Sequence, residues 1–369
     1  MEQNWETWGL GEKRISEIWL PGSHDAATDD LSLQYRNSDM DDELLYHLQQ
    51  PVYRTCSCFI LAFIRRWATT QHSSVLSQLN AGSRYLDLRP VVTDAGDILC
   101  THALLGKRPF KGILTDIHVF LGANPKEFLI LDLHCLRAAL SLTQNDMERI
   151  ESVIFETLNN FIIPESSWDC PLNVLLEKNV RIFVVMEKDD NARNFHARHG
   201  TAKVRRVWHN THDIGILKEK IEEEIQYRAT QDEQPRLVHI LSFLRTPPAG
   251  GNAGCFYVMG IISFFFCCLR RWFPSSLAEL NNDIKQQSPS WINEWKHLYY
   301  SRNNLILRNM QAANQICNED EHICITIKDA EKPKMYRSSV MMMDFVTENR
   351  ELVMSVIELN ALGLRLNLN

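Results

Sequence analysis

At 369 residues the chain is long enough for one large domain or two smaller ones, and its 45% hydrophobic and 23% charged residues exclude a disordered polymer. A formal charge of −7 leaves no excess of Lys and Arg to track phosphates, which argues against general nucleic-acid binding. Ten cysteines stand in no regular framework; Cys56, Cys58, Cys267 and Cys268 lie in apolar runs, and no Cys-x-x-Cys pair has a matching second pair, so reduced thiols and no structural zinc are expected.

The start, Met1 to Arg14, has no positive stretch followed by an apolar one, so no Sec-type signal is expected. Ile18-Trp19-Leu20 reads as a strand ending at Pro21. Val75 to Asn80 reads as a helix that passes through Ala81-Gly82 into the strand Tyr85 to Arg89. Val91-Val92 and Ile98-Leu99-Cys100, separated by Asp94-Ala95-Gly96-Asp97, form a hairpin pattern. Then come a helix (Ile113 to Leu121), a strand (Phe128 to Leu133), an amphipathic helix (Met147 to Phe161) and a strand (Arg181 to Met186). The rest reads as a helix over Ile214 to Tyr227, strands over Leu237 to Leu244 and Val340 to Phe345, and a helix over Glu351 to Leu359. Strands alternating with helices give an α/β class with parallel strands, and the pattern leaves a barrel and a doubly wound sheet both open.

Two segments, about 37–66 and 247–274, interrupt the rhythm as insertions into a single domain spanning 1–369. Both end alike, in Phe59-Ile60-Leu61-Ala62-Phe63-Ile64-Arg65-Arg66-Trp67 and in Phe264-Phe265-Phe266-Cys267-Cys268-Leu269-Arg270-Arg271-Trp272. Apolar residues followed by paired Arg and a Trp suit a membrane headgroup interface, and a buried helix with solvent-facing Arg is the competing expectation. The longest uncharged apolar run, Cys255 to Leu269, has fifteen residues, short of the about 20 that a span needs.

Three phrases carry chemistry. Leu20-Pro21-Gly22-Ser23-His24-Asp25 closes the first strand, and catalytic groups in a βα barrel sit at strand C-terminal ends. In Tyr85-Leu86-Asp87-Leu88-Arg89, period two puts Asp87 and Arg89 on one face. Cys100-Thr101-His102 closes the hairpin and returns a second imidazole to the same rim. Two imidazoles and a guanidinium suffice to cleave a phosphodiester without metal: one ring takes a proton, the other gives one, and Arg neutralises the phosphoryl oxygens. His118 in its helical pattern is expected to pack or face solvent, and His209 with His212 and Asp213 lacks a third ligand for a metal.

These phrases, with Trp67-Ala68-Thr69-Thr70-Gln71, Gln78-Leu79-Asn80-Ala81-Gly82-Ser83-Arg84, Asn124-Pro125-Lys126-Glu127-Phe128, Trp208-His209-Asn210-Thr211, Leu244-Arg245-Thr246-Pro247, Met343-Asp344-Phe345-Val346 and Val356-Ile357-Glu358-Leu359-Asn360, resemble the X domain of phosphatidylinositol-specific phospholipase C, above all its stand-alone and bacterial forms. The resemblance runs from about residue 18 to 360 and implies a distorted, incomplete TIM-like barrel. It implies His24 as general base, His102 as general acid with Asp87 as its supporting carboxylate, and Asp25 as a substrate contact. Arg89 stands where the calcium-dependent branch carries a calcium ligand, so no cofactor or metal is expected. Asp344, by analogy with a carboxylate on a late strand, orients His24. His134 replaces a substrate-contacting lysine of bacterial members. The implied partner is a phospholipid at a membrane surface, met by a peripheral cytoplasmic protein, or by one exported without a Sec-type signal. A lipid-binding protein without turnover and a barrel phosphodiesterase for another headgroup are the competing functions.

Overall fold

The computed structural model describes residues 10–37, 49, 57–133, 142–186, 199–200, 204–230, 238–246, 276–292, 294 and 339–365. Eight strands form one parallel sheet: β1 (Leu20–Ser23), β2 (Tyr85–Leu88), β6 (Leu129–Leu133), β7 (Ile182–Met186), β8 (His199–Gly200), β9 (Val204–Val207), β10 (Val238–Phe243) and β11 (Ser339–Met343). Their order is β8-β7-β6-β2-β1-β11-β10-β9, and every pairing is parallel. A second, antiparallel sheet holds β3 (Pro90–Val92), β4 (Ile98–His102) and β5 (Leu104–Pro109).

The long sheet curls. Arg206 on the edge strand β9 donates through Nε to Asp132 on β6 at 2.9 Å, although four strands separate the two in the sheet order. Alternation sorts the side chains. Leu20, Tyr85, Ile130, Phe183, Val204, Ile240 and Val340 fill the enclosed interior. Two residues further along, four of these seven strands turn polar, with Asp87, Asp132, Arg206 and Ser242, while Gly22, Val185 and Met342 follow on the other three. An apolar plug thus lies under a polar layer at the C-terminal ends of the strands, as expected for a barrel.

The opposite face of the sheet is apolar and covered by helices. Leu86, Leu88, Leu131 and Val184 pack against α2 (Val75–Ala81), α3 (Phe110–Ala123) and α4 (Gln144–Leu158). Leu241, Phe243, Met341 and Met343 pack against α6 (Ile214–Thr230) and α8 (Arg350–Arg365). A short α5 (Leu172–Glu177) closes the bottom, through Leu172 and Leu175. Helix α1 (Ser57–Ala68) lies over the small sheet through Leu61, Ile64, Ala68 and Leu104. Its Phe63 and Trp67 pack on Leu277 and Leu280 of α7 (Leu277–Leu280).

The first strand departs from expectation by starting at Leu20 and running through Pro21. Trp19 is withheld from the ladder because the Asn360 side chain takes both its backbone groups, each at 2.8 Å. Pro21 gives up a donor, yet its carbonyl still accepts from the Arg84 amide at 2.8 Å. Gly22 is required there: a Cβ would lie 2.7 Å from Val340 Cγ1 and 2.9 Å from Tyr85 Cδ1. Strands β5, β8 and β9 had no clear alternation of their own and were not anticipated. Trp67 corrects the expectation of a boundary tryptophan, being only 8% exposed against α7, whereas Phe59 on the outer face of α1 is 60% exposed. Segment 247–274, with Phe264 to Trp272, lies outside the described residues, as does His134. Among the described residues no helix is long and apolar enough to cross a membrane.

Candidate active site

The polar layer is assembled from four strand ends. β1 delivers His24 and Asp25, β2 delivers Asp87 and Arg89, β4 delivers His102, and β11 delivers Asp344. Parallel pairing of Ser23 with Leu86 and with Met343 puts the residues that follow them side by side. His102 arrives from the small sheet, whose β4 pairs through Cys100 with Pro90, the residue after Arg89.

The rings of His24 and His102 stand 6.0 Å apart, centroid to centroid, at 74°. His24 Nδ1 bonds Asp344 Oδ1 at 2.8 Å, and the other Asp344 oxygen accepts from Asn281 Nδ2 at 2.9 Å. With Nδ1–H committed to Asp344, Nε2 is the nitrogen that can exchange a proton with a ligand. His24 Nε2 lies 3.1 Å from Asp25 Oδ2, and Arg89 Nη2 lies 3.4 Å from the same nitrogen. His102 donates Nδ1–H to the Ala68 carbonyl at 2.7 Å, which turns its Nε2 toward Asp25 Oδ2 at 3.3 Å. Arg89 completes the ring of charges, with Nε 2.6 Å from Asp25 Oδ1 and Nη2 3.2 Å from Asp87 Oδ2.

One assigned partnership changes. The carboxylate beside His102 is that of Asp25, whereas Asp87 bonds Arg89 and lies 3.4 Å from the Asp25 amide. The physical reason is backbone conformation: Asp25 adopts φ 40°, which swings its side chain back between the two imidazoles. The same left-handed φ recurs after two of the other rim groups, at Ala103 (60°) following His102 and at Phe345 (49°) following Asp344. Non-glycine residues rarely adopt it, and such strain gathers at functional sites.

The two imidazoles are held apart electrically. For His24 burial is the largest single influence and lowers the pKa, but Asp25 and Asp344 together outweigh it, so the net shift is upward. For His102 burial again leads, Asp25 compensates only in part, and Arg89 and His24 add to the lowering, so the net shift is downward. Burial also raises Asp344, partly offset by its bond to His24. Burial pushes the Cys100 thiol far up, which keeps it protonated and removes it as a nucleophile.

His24, Asp25 and Asp87 offer donor atoms within 4.8 Å of one another, a spacing that suits a cation. The Arg89 guanidinium already lies against both carboxylates, so a divalent ion there would meet a fixed positive charge. His118 is a surface residue of α3, bonded to the Thr157 carbonyl at 3.0 Å. His209, next to Trp208, belongs to no grouping of ligand atoms found among the described residues.

Several neighbours had no role assigned from the sequence. The Trp208 ring meets His24 edge-on at 5.5 Å, is 45% exposed, and bonds Thr246 Oγ1 through Nε1 at 3.1 Å. Its signal was an aromatic residue just past an apolar-charged stretch, Val204-Arg205-Arg206-Val207, that did not read as a strand. Asp132 sits deeper, accepting from Tyr85 Oη at 2.6 Å as well as from Arg206.

No protein-family model matches the chain. Among curated proteins, the chain is 31% identical over 124 residues to a PI-PLC X domain-containing protein of Dictyostelium discoideum, covering 32% of this chain and 18% of that protein. It is 34% identical over 80 residues to PI-PLC X domain-containing protein 1 of Homo sapiens, covering 22% of this chain and 24% of that one. It is 26% identical over 251 residues to the variant-surface-glycoprotein phospholipase C of Trypanosoma brucei brucei, covering 64% and 67%. The shared segments thus span less than a third of the X domain-containing relatives' own length. Among solved structures, the phosphatidylinositol-specific phospholipase C from Listeria monocytogenes superposes with a TM-score of 0.54 at 13% identity, over 94% of this chain and 95% of that one. A variant of the phosphatidylinositol-specific phospholipase C from Staphylococcus aureus gives 0.52 at 14% identity, over 95% and 97%. The fold is therefore the α/β, TIM-like barrel of those enzymes, and the chain resembles the PI-PLC X domain-containing proteins in sequence.

Proposed function

We propose that the chain is a metal-independent phospholipase C that cleaves phosphatidylinositol-type lipids to diacylglycerol and inositol 1,2-cyclic phosphate. The observation that carries this reading is the pair of imidazoles 6.0 Å apart, with the Arg89 guanidinium against the carboxylates between them. The relatives named as phospholipases C support the substrate class.

In this mechanism His24 Nε2 takes the proton of the inositol 2-hydroxyl while Asp344 holds Nδ1. The freed oxygen bonds to phosphorus, the phosphorus–oxygen bond to diacylglycerol breaks, and His102 Nε2 gives its proton to the departing alkoxide. Arg89 balances charge on the non-bridging oxygens in a planar, bidentate manner. Asp25 ties His24, His102 and Arg89 together, and Asp87 steadies Arg89. The phosphodiester's own negative charge favours protonated His102, which offsets the downward shift of the free protein. His134 is assigned to the headgroup. The barrel is one catalytic unit over residues 1–369, working peripherally on the cytoplasmic side of a membrane. On α1 the outward Phe59 and Arg65 supply the lipid contact, alongside the segment Phe264–Trp272.

Vesicles of phosphatidylinositol, phosphatidylcholine and sphingomyelin, each assayed with and without a chelator, test the proposal. Diacylglycerol is expected from phosphatidylinositol alone, at a rate the chelator leaves unchanged. Cleavage of the choline lipids, or chelator-sensitive cleavage, would favour a different barrel phosphodiesterase. Binding with no diacylglycerol over long incubation would mark a non-catalytic lipid-binding protein.

A further inference from the structure

Four consecutive residues leave the end of α1 and pass behind the rim groups. The Ala68 carbonyl receives His102 Nδ1 at 2.7 Å. The Thr70 hydroxyl lies 3.0 Å from the His24 carbonyl and 3.1 Å from that of Asp25, and bonds the Thr28 hydroxyl at 2.7 Å. The Thr70 carbonyl accepts from the Phe345 amide at 2.7 Å. Gln71 then uses both functions of its side chain. Nε2 donates to the carbonyls of His24 and Met343 at 3.1 and 3.0 Å, and Oε1 accepts from the Val346 amide at 3.0 Å. Thr70 and Gln71 are both fully buried.

These bonds fall on the backbone at either side of the His24–Asp344 contact. The last backbone bond between β1 and β11 runs from the His24 amide to the Met343 carbonyl at 3.1 Å, so the ladder does not fix the residues beyond it, Asp25 and Asp344 among them. Both strands then turn through left-handed non-glycine residues, Asp25 and Phe345. A strained backbone persists where its surroundings over-determine it, and the strap supplies that constraint through the Asp25 carbonyl and the Phe345 amide.

We infer that Gln71, assisted by Thr70, is the positioning residue that sets the His24–Asp344 contact and, through the same strap, the separation of the two imidazoles. It touches no substrate and acts through the backbone of His24 and of the residues flanking Asp344. The inference deepens the function proposed above and rests on it for its kinetic half alone.

The test is Gln71→Met, which keeps length and shape and removes all three hydrogen bonds. The first readout is the His24 ring titration, followed by NMR in the free protein without any lipid. Asp25, Asp344, Arg89 and His102, the charged and titratable groups facing His24, are all retained in this variant, so any movement reports geometry. His24 is expected to titrate at lower pH than in the wild type, in the direction of Asp344→Asn, and the double variant no lower than Asp344→Asn alone. The second readout is turnover of phosphatidylinositol vesicles, where kcat is expected to fall roughly 10- to 100-fold with KM within about two-fold. A glutamine that merely filled a buried loop would lower the melting temperature and leave both readouts of the folded protein at wild-type values; that result overturns the inference. Should Gln71→Met fail to fold, Thr70→Val, which loses the hydroxyl bonds to the His24 and Asp25 carbonyls, is expected to move both readouts the same way, and unchanged values overturn it equally. A wild-type protein inactive on phosphatidylinositol would sink the proposed function while leaving the titration result standing.

Discussion

Asp25 is within 3.3 Å of His24, His102 and Arg89 at once, so one carboxylate serves three groups that each carry or can carry a positive charge. That shared position explains why the two imidazoles diverge. His24 has a second carboxylate, Asp344, on its other nitrogen, whereas His102 has only a backbone carbonyl there. A proton placed on the pair therefore rests on His24 in the free protein. In the proposed mechanism turnover requires one proton on the pair, so activity is expected to fall below the lowered pKa, where both rings are charged, and above the raised one, where both are bare. Asp344→Asn removes part of what raises His24, so the alkaline limb of the kcat/KM profile is expected to move to lower pH and kcat to fall about 10²- to 10⁴-fold. An alkaline limb that stayed in place would mean that His24 does not govern it. His24, Asp25, Asp87, Arg89 and His102 were legible in the sequence because each sits in a short phrase at a strand end, with period two aligning Asp87 and Arg89. The pairing of Asp25 with His102 was not, since it turns on a single positive φ. Gln71 and Trp208 stood in phrases of the resemblance without a role, and Asn281 in none, because all three act on backbone or on side chains brought together only by the fold.

At the scale of elements, β1 shows how little propensity decides when neighbours dictate. Leu-Pro-Gly-Ser is a poor strand sequence, yet it occupies the sheet's interior between β2 and β11. Gly22 allows this by leaving room for Val340 and the Tyr85 ring. Gly22→Ala forces those side chains or the strand to shift, and is expected to destabilise the fold by about 1–3 kcal/mol; chemical denaturation checks it, and an unchanged midpoint would contradict the tight packing. The long helices and the buried strands β6, β7, β10 and β11 were readable from periodicity, because each has a continuous apolar face. β9 was not, since Arg205 and Arg206 interrupt it for tertiary reasons: Arg206 crosses the interior to Asp132, and Arg205 pairs with Glu224 of α6 at 3.1 Å. On α1 the Arg-Arg-Trp ending suggested a membrane boundary, but Trp67 is spent on packing against α7 and only Phe59 is left as the large outward apolar side chain.

For the whole molecule, the alternation of strands and helices left barrel and open sheet equally admissible. What decides between them is a contact no local pattern can reveal, the ion pair from the edge strand β9 to β6, across four intervening strands. Direct parallel pairing of the first and last strands sets β11, followed by Asp344, beside β1 despite a separation of 320 positions, and the curl of the sheet gathers scattered charged residues into one polar layer above an apolar plug. His24 and His102 are assigned opposite proton-transfer roles, and one measurement tests that assignment directly. Turnover of a natural inositol lipid, whose leaving group is an alkoxide, is compared with that of an aryl inositol phosphate, whose leaving group departs without a proton, for wild type, His24→Ala and His102→Ala in the presence of chelator. His102→Ala is expected to lose about 10²- to 10⁴-fold on the lipid and to recover most of that loss on the aryl ester, while His24→Ala stays impaired on both. Equal impairment of His102→Ala on the two substrates, or wild-type activity that disappears with the chelator, would contradict it.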